Sequence, residues 1–128
     1  YLDLVETIDE LNAGLAKETV HHQLQQGLNN IESLHNIVVA YEPVWAIGTG
    51  LTASFQKVGE IHSFIRNILK ELFSEKESNI VPIIYGGSVN SDNAEKLINV
   101  HSVNGFLIGG ASLDLDKFVE IINIVDKN

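Results

Sequence analysis

The chain contains no cysteine, which excludes both disulfide bonds and thiolate metal sites. Basic residues are scarce as well: eight lysines and arginines stand against seventeen acids, giving a formal net charge of −9. So few scattered cations form no basic patch, which argues against nucleic acid or an anionic membrane as a partner. No apolar run is long enough to span a bilayer, so we expect no membrane-embedded segment.

Methionine is also absent, so the chain has no initiator residue, and it begins inside a segment that resembles a strand. We therefore expect residues 1–128 to be a piece of a longer protein and to form a single incomplete domain. The hydrophobic content of 45% and the charged content of 20% are those of an ordinary globular protein with a sizeable core.

Strand-like and helix-like segments alternate along the whole chain. Short apolar runs predict strands at 1–5, 37–41, 80–85 and 103–108, and apolar residues spaced by three and four predict helices at 15–34, 54–73, 92–99 and 114–125. This alternation predicts an α/β fold in which a parallel sheet is covered by helices. A doubly wound sheet and a closed barrel both satisfy it, and periodicity alone does not separate them.

A single acid, Glu42, stands where the apolar strand at 37–41 ends, and Pro43 stops the strand because proline cannot donate to a ladder. An apolar wall around the carboxylate would raise its pKa and suit it to proton abstraction near neutral pH. The alternative is an ordinary solvated acid at a strand end. The residues expected to form the wall are Val44, Trp45 and Ile47.

Two glycine pairs occupy equivalent places in successive units, directly after an apolar strand and before a helix. They are Gly86-Gly87, followed by Ser88, and Gly109-Gly110. Glycine lets backbone N–H groups approach an anion closely, and the loops after the last two strands of an eight-fold barrel commonly bind phosphate. A single pair is most often a simple turn. Two pairs on neighbouring strands predict a phosphate site.

The five histidines do not predict a metal site. His21 and His22 are adjacent rather than one helical turn apart, and His35, His62 and His101 lie on or next to predicted helices. We therefore interpret all five as surface or packing residues, and we expect no metal and no cofactor.

Three motifs carry a resemblance to a known family: 40–50 (AYEPVWAIGTG), 84–89 (IYGGSV) and 105–113 (GFLIGGASL). They closely resemble the triosephosphate isomerase family in order and approximate spacing. The resemblance covers essentially the whole chain and implies the carboxyl-terminal half of a (β/α)8 TIM barrel, strands five to eight. Another phosphate-binding barrel enzyme and a non-catalytic half-barrel module stay open as alternatives.

The resemblance implies an intramolecular aldose-ketose isomerase. It would interconvert glyceraldehyde 3-phosphate and dihydroxyacetone phosphate through an enediolate, in the cytoplasm, as part of glycolysis and gluconeogenesis. The substrate would be a small phosphorylated triose, and the parent would be a homodimer formed through the missing half. The family's strand-one Lys and strand-four His are not in this chain, so we expect the chain alone to be inactive.

The resemblance also assigns roles to individual residues. Glu42 would be the catalytic base, and the phosphate would be held by Gly48, Ser88, Gly109 and Gly110. The segment 43–53 would be a lid that excludes water, and Ile47 and Leu107 would clamp the Glu42 carboxylate. The lid and its latch would use Pro43, Val44, Trp45, Ile47, Thr49, Gly50, Tyr85, Ser88 and Glu6, with Glu6 accepting the indole N–H of Trp45.

The sequence departs from the family pattern in three places. The usual Cys-x-Gly-Glu of the fifth strand reads Asp3-Leu4-Val5-Glu6, and an Arg that follows it in the family is Leu11. A strand-eight Asp is Asn104 here, so we expect a hydrogen bond from Arg66 instead of a salt bridge. A half-barrel would also expose an apolar inner face and two sheet edges, so we expect the isolated chain to be partly molten, to self-associate, or to need its other half.

Overall fold

The structure is a computed structural model that describes residues 1–12, 14–46 and 53–128. The strands are β1 (Leu2–Glu6), β2 (Val39–Pro43), β3 (Ile83–Gly86) and β4 (Gly105–Leu107). The helices are α1 (Ile8–Asn12), α2 (Ala16–Gly27), α3 (Phe55–Leu72), α4 (Glu75–Ile80), α5 (Ala94–Ile98) and α6 (Leu115–Asp126). Single 3-10 turns follow β2 at Val44–Ala46 and β4 at Gly110–Leu113.

The strands form one parallel sheet in which each strand pairs with the next in the order β1-β2-β3-β4. The registers place Leu4 opposite Tyr41, Tyr41 opposite Tyr85, and Tyr85 opposite Phe106. A doubly wound sheet reverses its strand order at a switch point, and no reversal occurs among the described strands. The α/β prediction is confirmed, and the strand order is the one that a (β/α) barrel uses.

The two faces of the sheet differ sharply. One face packs under α2 and α3, and most of its described residues are buried, including Leu4, Val39, Tyr41, Ile83 and Tyr85. Because successive strand residues point to opposite faces, the other face carries Asp3, Val5, Ala40, Glu42, Ile84, Gly86 and Leu107. Apart from the buried Ala40 and Gly86, these residues are partly exposed, so this second face is the open one.

The carboxyl-terminal end predicted for the helix at 15–34 is wrong, because α2 ends at Gly27. Asn30 adopts the left-handed conformation with φ of 63°, which a continuing helix does not allow. Leu28 and Leu34 are nevertheless buried in the core. The helical spacing of these two leucines therefore does not indicate a helix, because the segment that follows α2 packs both side chains into the core.

The predicted strand at 80–85 begins too early, because Ile80 is the last residue of α4 and β3 begins only after Pro82. The Ser74 hydroxyl caps α4 by accepting from the backbone N–H of Glu77 at 3.1 Å. The helix at 92–99 starts later than predicted, at Ala94, because the Asn90 side chain accepts from the N–H groups of Asp92 and Asn93 instead.

A short helix, α1, lies where the sequence indicated only a polar connection. It begins with a capping box in which Thr7 Oγ1 accepts from Glu10 N–H at 3.2 Å and Glu10 Oε2 accepts from Thr7 N–H at 3.0 Å. By contrast, the helix predicted at 54–73 is confirmed as α3. Among the described helices, none has both the length and the apolar character needed to cross a bilayer.

The predicted hydrogen bond between Arg66 and Asn104 is confirmed, with Nη2 at 2.7 Å from Oδ1. The same Asn104 oxygen accepts from the backbone N–H of Ile83 at 2.9 Å. Arg66 also donates to the carbonyl oxygens of Ser78 and Val81. The guanidinium on α3 thus connects the end of α4 to the starts of β3 and β4.

Candidate active site

Glu42 lies at the carboxyl end of β2, one residue before the proline that ends the strand. It pairs in register with Val5 on β1, and its side chain is partly buried on the open face. The pKa of Glu42 is raised to about 7, first by a side-chain hydrogen bond with Asp3, then by burial and by the charge of Asp3. A carboxyl group with this pKa can both take and return a proton near neutral pH.

The direction of this pKa shift was predicted, but its main cause was not. The sequence suggested an apolar wall, yet Val44 is 41% exposed. Ile47 lies outside the described residues, and the Trp45 side chain lies outside the described side chains. The group that raises the proton affinity of Glu42 most is therefore Asp3, a second carboxyl on the neighbouring strand.

A pocket of about 360 Å³ opens beside Glu42 at the carboxyl ends of the strands. Its walls come from the two loops that follow β3 and β4. Five residues named from the sequence meet here or at its rim: Glu42, Ser88, Leu107, Gly109 and Gly110. The base candidate and the two phosphate-loop candidates thus share one cavity.

The glycines of the first pair are required by close contacts. A Cβ atom at Gly86 would lie 2.6 Å from Glu42 Cγ, and one at Gly87 would lie 2.4 Å from the Tyr85 hydroxyl oxygen. At Gly109 and Gly110, by contrast, a Cβ atom would meet nothing within 4 Å in the described part of the chain. Packing in the described residues therefore explains the first glycine pair and leaves the second without a packing reason.

Ser88 connects the loop after β3 to the turn that follows Glu42. Its hydroxyl group donates to the carbonyl oxygen of Ala46 at 2.8 Å. The loop is held in place from the other side by Asn93, whose side-chain N–H donates to the carbonyl oxygen of Ser88 at 2.9 Å. The structure thus places Ser88 between the pocket and the segment that was predicted to be a lid.

Tyr85 lies on the helix-covered face, at the base of the same segment. Its hydroxyl oxygen is buried without a hydrogen-bond partner in the described residues. Burial raises the pKa of the Tyr85 hydroxyl group, and the nearby Ala53 backbone offsets part of that rise. This position, between Gly87 and Ala53, joins the loop after β3 to the start of α3.

Several predicted site residues cannot be placed. Gly48, Thr49 and Gly50 lie outside the described residues, together with Ile47, and so do the side chains of Glu6 and Trp45. The Glu6–Trp45 hydrogen bond and the Ile47 contact therefore stay predictions.

Asp3 is a site residue that was not among those predicted from the sequence. The signal was a charged residue interrupting an apolar strand, and the two-residue period puts it on the same face as Val5. The partner strand has Ala40 and Glu42 on that face, but the pairing of Asp3 with Ala40 becomes known only with the register.

Histidine does not take part in this pocket. His62 is fully buried in α3, edge-on to the Tyr41 ring at a centroid distance of 5.9 Å, which agrees with its interpretation as a packing residue. Within the described ranges, no group of three histidine or acidic side chains is placed to bind a metal ion.

The strand order, the acid at a strand end and the two glycine loops on one side define a segment of a (β/α)-barrel enzyme, because such enzymes build their active sites from the loops after the strands. The comparison with known proteins identifies the family. The family model described as triosephosphate isomerase matches residues 4–125. The chain therefore belongs to the triosephosphate isomerase family.

Individual relatives agree with this assignment. A protein named triosephosphate isomerase from Chloroherpeton thalassium is 46% identical over 119 residues, which cover 91% of this chain and 47% of the relative. One of the same name from Borreliella burgdorferi is 46% identical over 122 residues, covering 94% and 48%. One from Chlamydia caviae is 44% identical over 117 residues, covering 91% and 46%. The chain spans about half the length of the curated relatives it matches.

Proposed function

We propose that this chain forms the carboxyl-terminal half of a triosephosphate isomerase barrel. The whole protein, meaning the polypeptide that contains this chain together with the other half of the barrel, interconverts glyceraldehyde 3-phosphate and dihydroxyacetone phosphate. The observation that carries this proposal is the shared pocket of Glu42, Ser88 and Gly110. A strand-end acid and two glycine loops in one cavity support a proton-transfer site beside a phosphate site.

Glu42 is the base in this reaction. It removes a proton from the carbon next to the substrate carbonyl and returns it to the neighbouring carbon. With a pKa of about 7, a substantial fraction of the group is ionised at neutral pH, and its conjugate acid gives the proton back readily. The charge that develops on the substrate oxygen needs stabilising donors, which the other half of the barrel supplies.

The phosphate group of the triose binds to backbone N–H groups of the two loops, at Ser88 and Gly110, with Gly109 beside them and Gly48 contributed by the lid. Among the described residues nothing packs where a side chain at Gly109 or Gly110 would lie, which supports this role, because a side chain there would intrude on a ligand. A phosphate in this position orients the carbonyl carbon toward Glu42.

The segment 43–53 closes over the pocket and excludes water from the enediolate. The bond from Ser88 to Ala46 and the position of Tyr85 near Ala53 support latch roles for both residues. Leu107 lines the pocket with Glu42 and limits the water around the carboxylate. The lid also includes Pro43, Val44, Trp45, Ile47, Thr49 and Gly50, with Glu6 as the acceptor for Trp45.

This half of the barrel is inactive alone, because it lacks the side chains that stabilise the oxyanion. The whole protein acts in the cytoplasm and forms a homodimer through the other half. It needs neither metal nor cofactor.

Replacing Glu42 in the whole protein tests the proposal. Glu42→Gln removes the base with little change in size, so turnover of glyceraldehyde 3-phosphate falls about 10²–10⁴-fold with a small change in KM. The matched control is Glu71→Gln, which makes the same chemical change at an exposed position of α3. Turnover that survives Glu42→Gln at the control level would refute the assignment.

A further inference from the structure

Asp3 and Glu42 lie on adjacent strands and on the same, open face of the sheet. The register sets Asp3 opposite Ala40 and Val5 opposite Glu42, so the two acids are diagonal neighbours. Diagonal neighbours across paired strands are within reach of long side chains. Ala40, directly opposite Asp3, has only a methyl group and leaves the space between the two carboxyl groups open.

The surroundings of the two carboxyl groups favour a direct contact. The Oδ1 atom of Asp3 is buried and has no hydrogen-bond donor in the described part of the chain. Hydrogen bonding between the Asp3 and Glu42 side chains is the first of the causes that raise the pKa of Glu42. Two carboxyl groups can form such a bond only when one of them is protonated, because an ionised carboxylate is an acceptor only.

The other groups around Glu42 do not offset its interaction with Asp3. Just before β1, the pKa of the Tyr1 phenol is raised in part by the charges of Asp3 and Glu42. On β3 and β4 the facing residues are Ile84, Gly86 and Leu107, none of which titrates. The pocket loops contribute only neutral side chains. No cation of the described residues is among the groups that act on Glu42.

We propose that Asp3 is a positioning residue for Glu42, and that the two carboxyl groups share one proton and act as a single acid–base pair. The pair itself does not depend on the proposed function, but its role in turnover does. Before the reaction Glu42 is ionised and free to accept a proton, and the Asp3 carboxyl group beside it is the acceptor for the hydrogen bond that this proton will form.

The proton balance of the step is simple. As the substrate C–H bond breaks, its proton goes to Glu42 and its electron pair moves to the carbonyl oxygen. The two carboxyl groups then hold this one proton between them in a hydrogen bond, while the enediolate carries the new negative charge. Return of the proton to the neighbouring carbon leaves Glu42 ionised again. Asp3 thereby sets the pH range in which Glu42 accepts a proton, and the hydrogen bond between them fixes the position of one oxygen of the Glu42 carboxyl group.

The test is a titration of Glu42 in the whole protein, read by the ¹³C shift of glutamate labelled at the side-chain carboxyl carbon. The Glu42 signal is assigned by its loss in Glu42→Gln. We expect a midpoint well above the ordinary glutamate value in the unsubstituted whole protein and a downward shift of about one to two pH units in Asp3→Ala, because the neighbouring carboxyl is gone. Asp126→Asn, an exposed acid at the end of α6, leaves the midpoint unchanged.

A second variant and a second readout keep the outcome clear. Asp3→Asn preserves the size and donates a hydrogen bond to the Glu42 carboxylate, so its midpoint also moves down. If Glu42 is the base, the acid limb of the pH profile of kcat/KM shifts by the same amount as the titration. A shifted titration with an unchanged kcat/KM profile supports the carboxyl pair and refutes the proposed function. A parent midpoint at the ordinary glutamate value, or variants with the parent midpoint, overturns the proposal without any measurement of activity.

Discussion

Gly86 and Glu42 face each other across β3 and β2 so closely that a Cβ atom at position 86 would lie 2.6 Å from Glu42 Cγ and 3.0 Å from Oε1. Both residues are on the open face, since the pairing of Tyr41 with Tyr85 brings their successors side by side. The glycine that ends β3 therefore leaves room for the side chain of the base candidate on β2. Two sequence motifs that are far apart in the chain meet in one contact.

We expect Gly86→Ala in the whole protein to displace the Glu42 side chain, because the added methyl group occupies its position. Overpacking of this kind costs about 1–3 kcal/mol of the free energy of unfolding. Turnover should fall by much more than that loss of stability explains. Urea denaturation and steady-state kinetics, measured on the same preparation, give the two quantities.

The control for this substitution is Gly110→Ala, where the added methyl group meets none of the described residues. Its stability should stay within about 0.5 kcal/mol of the parent. If the loop after β4 binds phosphate, KM for the triose rises while stability does not change. Equal stability losses at both positions would show that the Glu42 contact is not what requires Gly86.

Much of the architecture was predictable because its signals are local. The valine-rich run before Glu42-Pro43 indicated β2 from composition alone, and the apolar spacing across 54–73 indicated α3. The order of strands and helices followed from their alternation. These features depend on residues that are neighbours in the chain.

The features that escaped prediction depend on tertiary contacts or on caps. Leu28 and Leu34 continue the helical spacing of α2, but a left-handed Asn30 breaks the helix and the loop buries both leucines. The short helix α1 begins with the capping box of Thr7 and Glu10. This box indicates a helix more strongly than the weak apolar pattern of the segment does. The contact between Asp3 and Glu42 depends on strand register, which single-strand patterns do not specify.

The burial of His62 predicts a dependence of stability on pH. Burial is the main cause that lowers the pKa of His62 to about 4. Nδ1 lies 3.1 Å from the carbonyl oxygen of Ser102, so it carries the proton, and Nε2 is buried without a partner in the described residues. Protonation would therefore place an unpaired N–H and a charge in the core.

The folded pKa of His62 lies below the ordinary value of 6.5, so the unfolded chain takes up the proton first. The stabilising contribution is complete above pH 6.5 and is lost as the pH falls toward 4, by about 3 kcal/mol. Glu42 acts in the opposite sense: its raised pKa makes stability fall as the pH rises through about 7. The two effects must be separated by a variant.

The variant His62→Leu separates the two effects. Subtracting its free energy of unfolding from that of the unsubstituted protein at each pH cancels the contributions of Glu42 and of the other titrating groups. We expect the difference to be constant above pH 7 and to fall by about 3 kcal/mol between pH 6.5 and 4. The exposed His101→Gln serves as the control and should run parallel to the parent. A difference that does not vary with pH would mean that His62 titrates normally.

Ile83 and Ile84 are adjacent in β3 but belong to opposite faces of the sheet. Ile83 is fully buried under the helices, while Ile84 is partly exposed on the open face with Val5 and Leu107. β1 and β4 also each have one edge without a strand partner in the described residues. An open apolar face and two free edges favour association, against which the net charge of −9 acts only weakly at physiological salt.

We expect the 128-residue chain alone to self-associate as its concentration rises, and Ile84→Lys to suppress this association because it places a charge on the open face. The same change at Ile83 buries an unpaired charge and should unfold the chain. Sedimentation velocity over a range of concentrations, together with circular dichroism, measures both effects. In the whole protein, where the other half of the barrel covers this face, Ile84→Lys becomes destabilising by several kcal/mol. If the unsubstituted 128-residue chain stays monomeric and melts cooperatively, the open face is tolerated in water and its closure is not needed for folding.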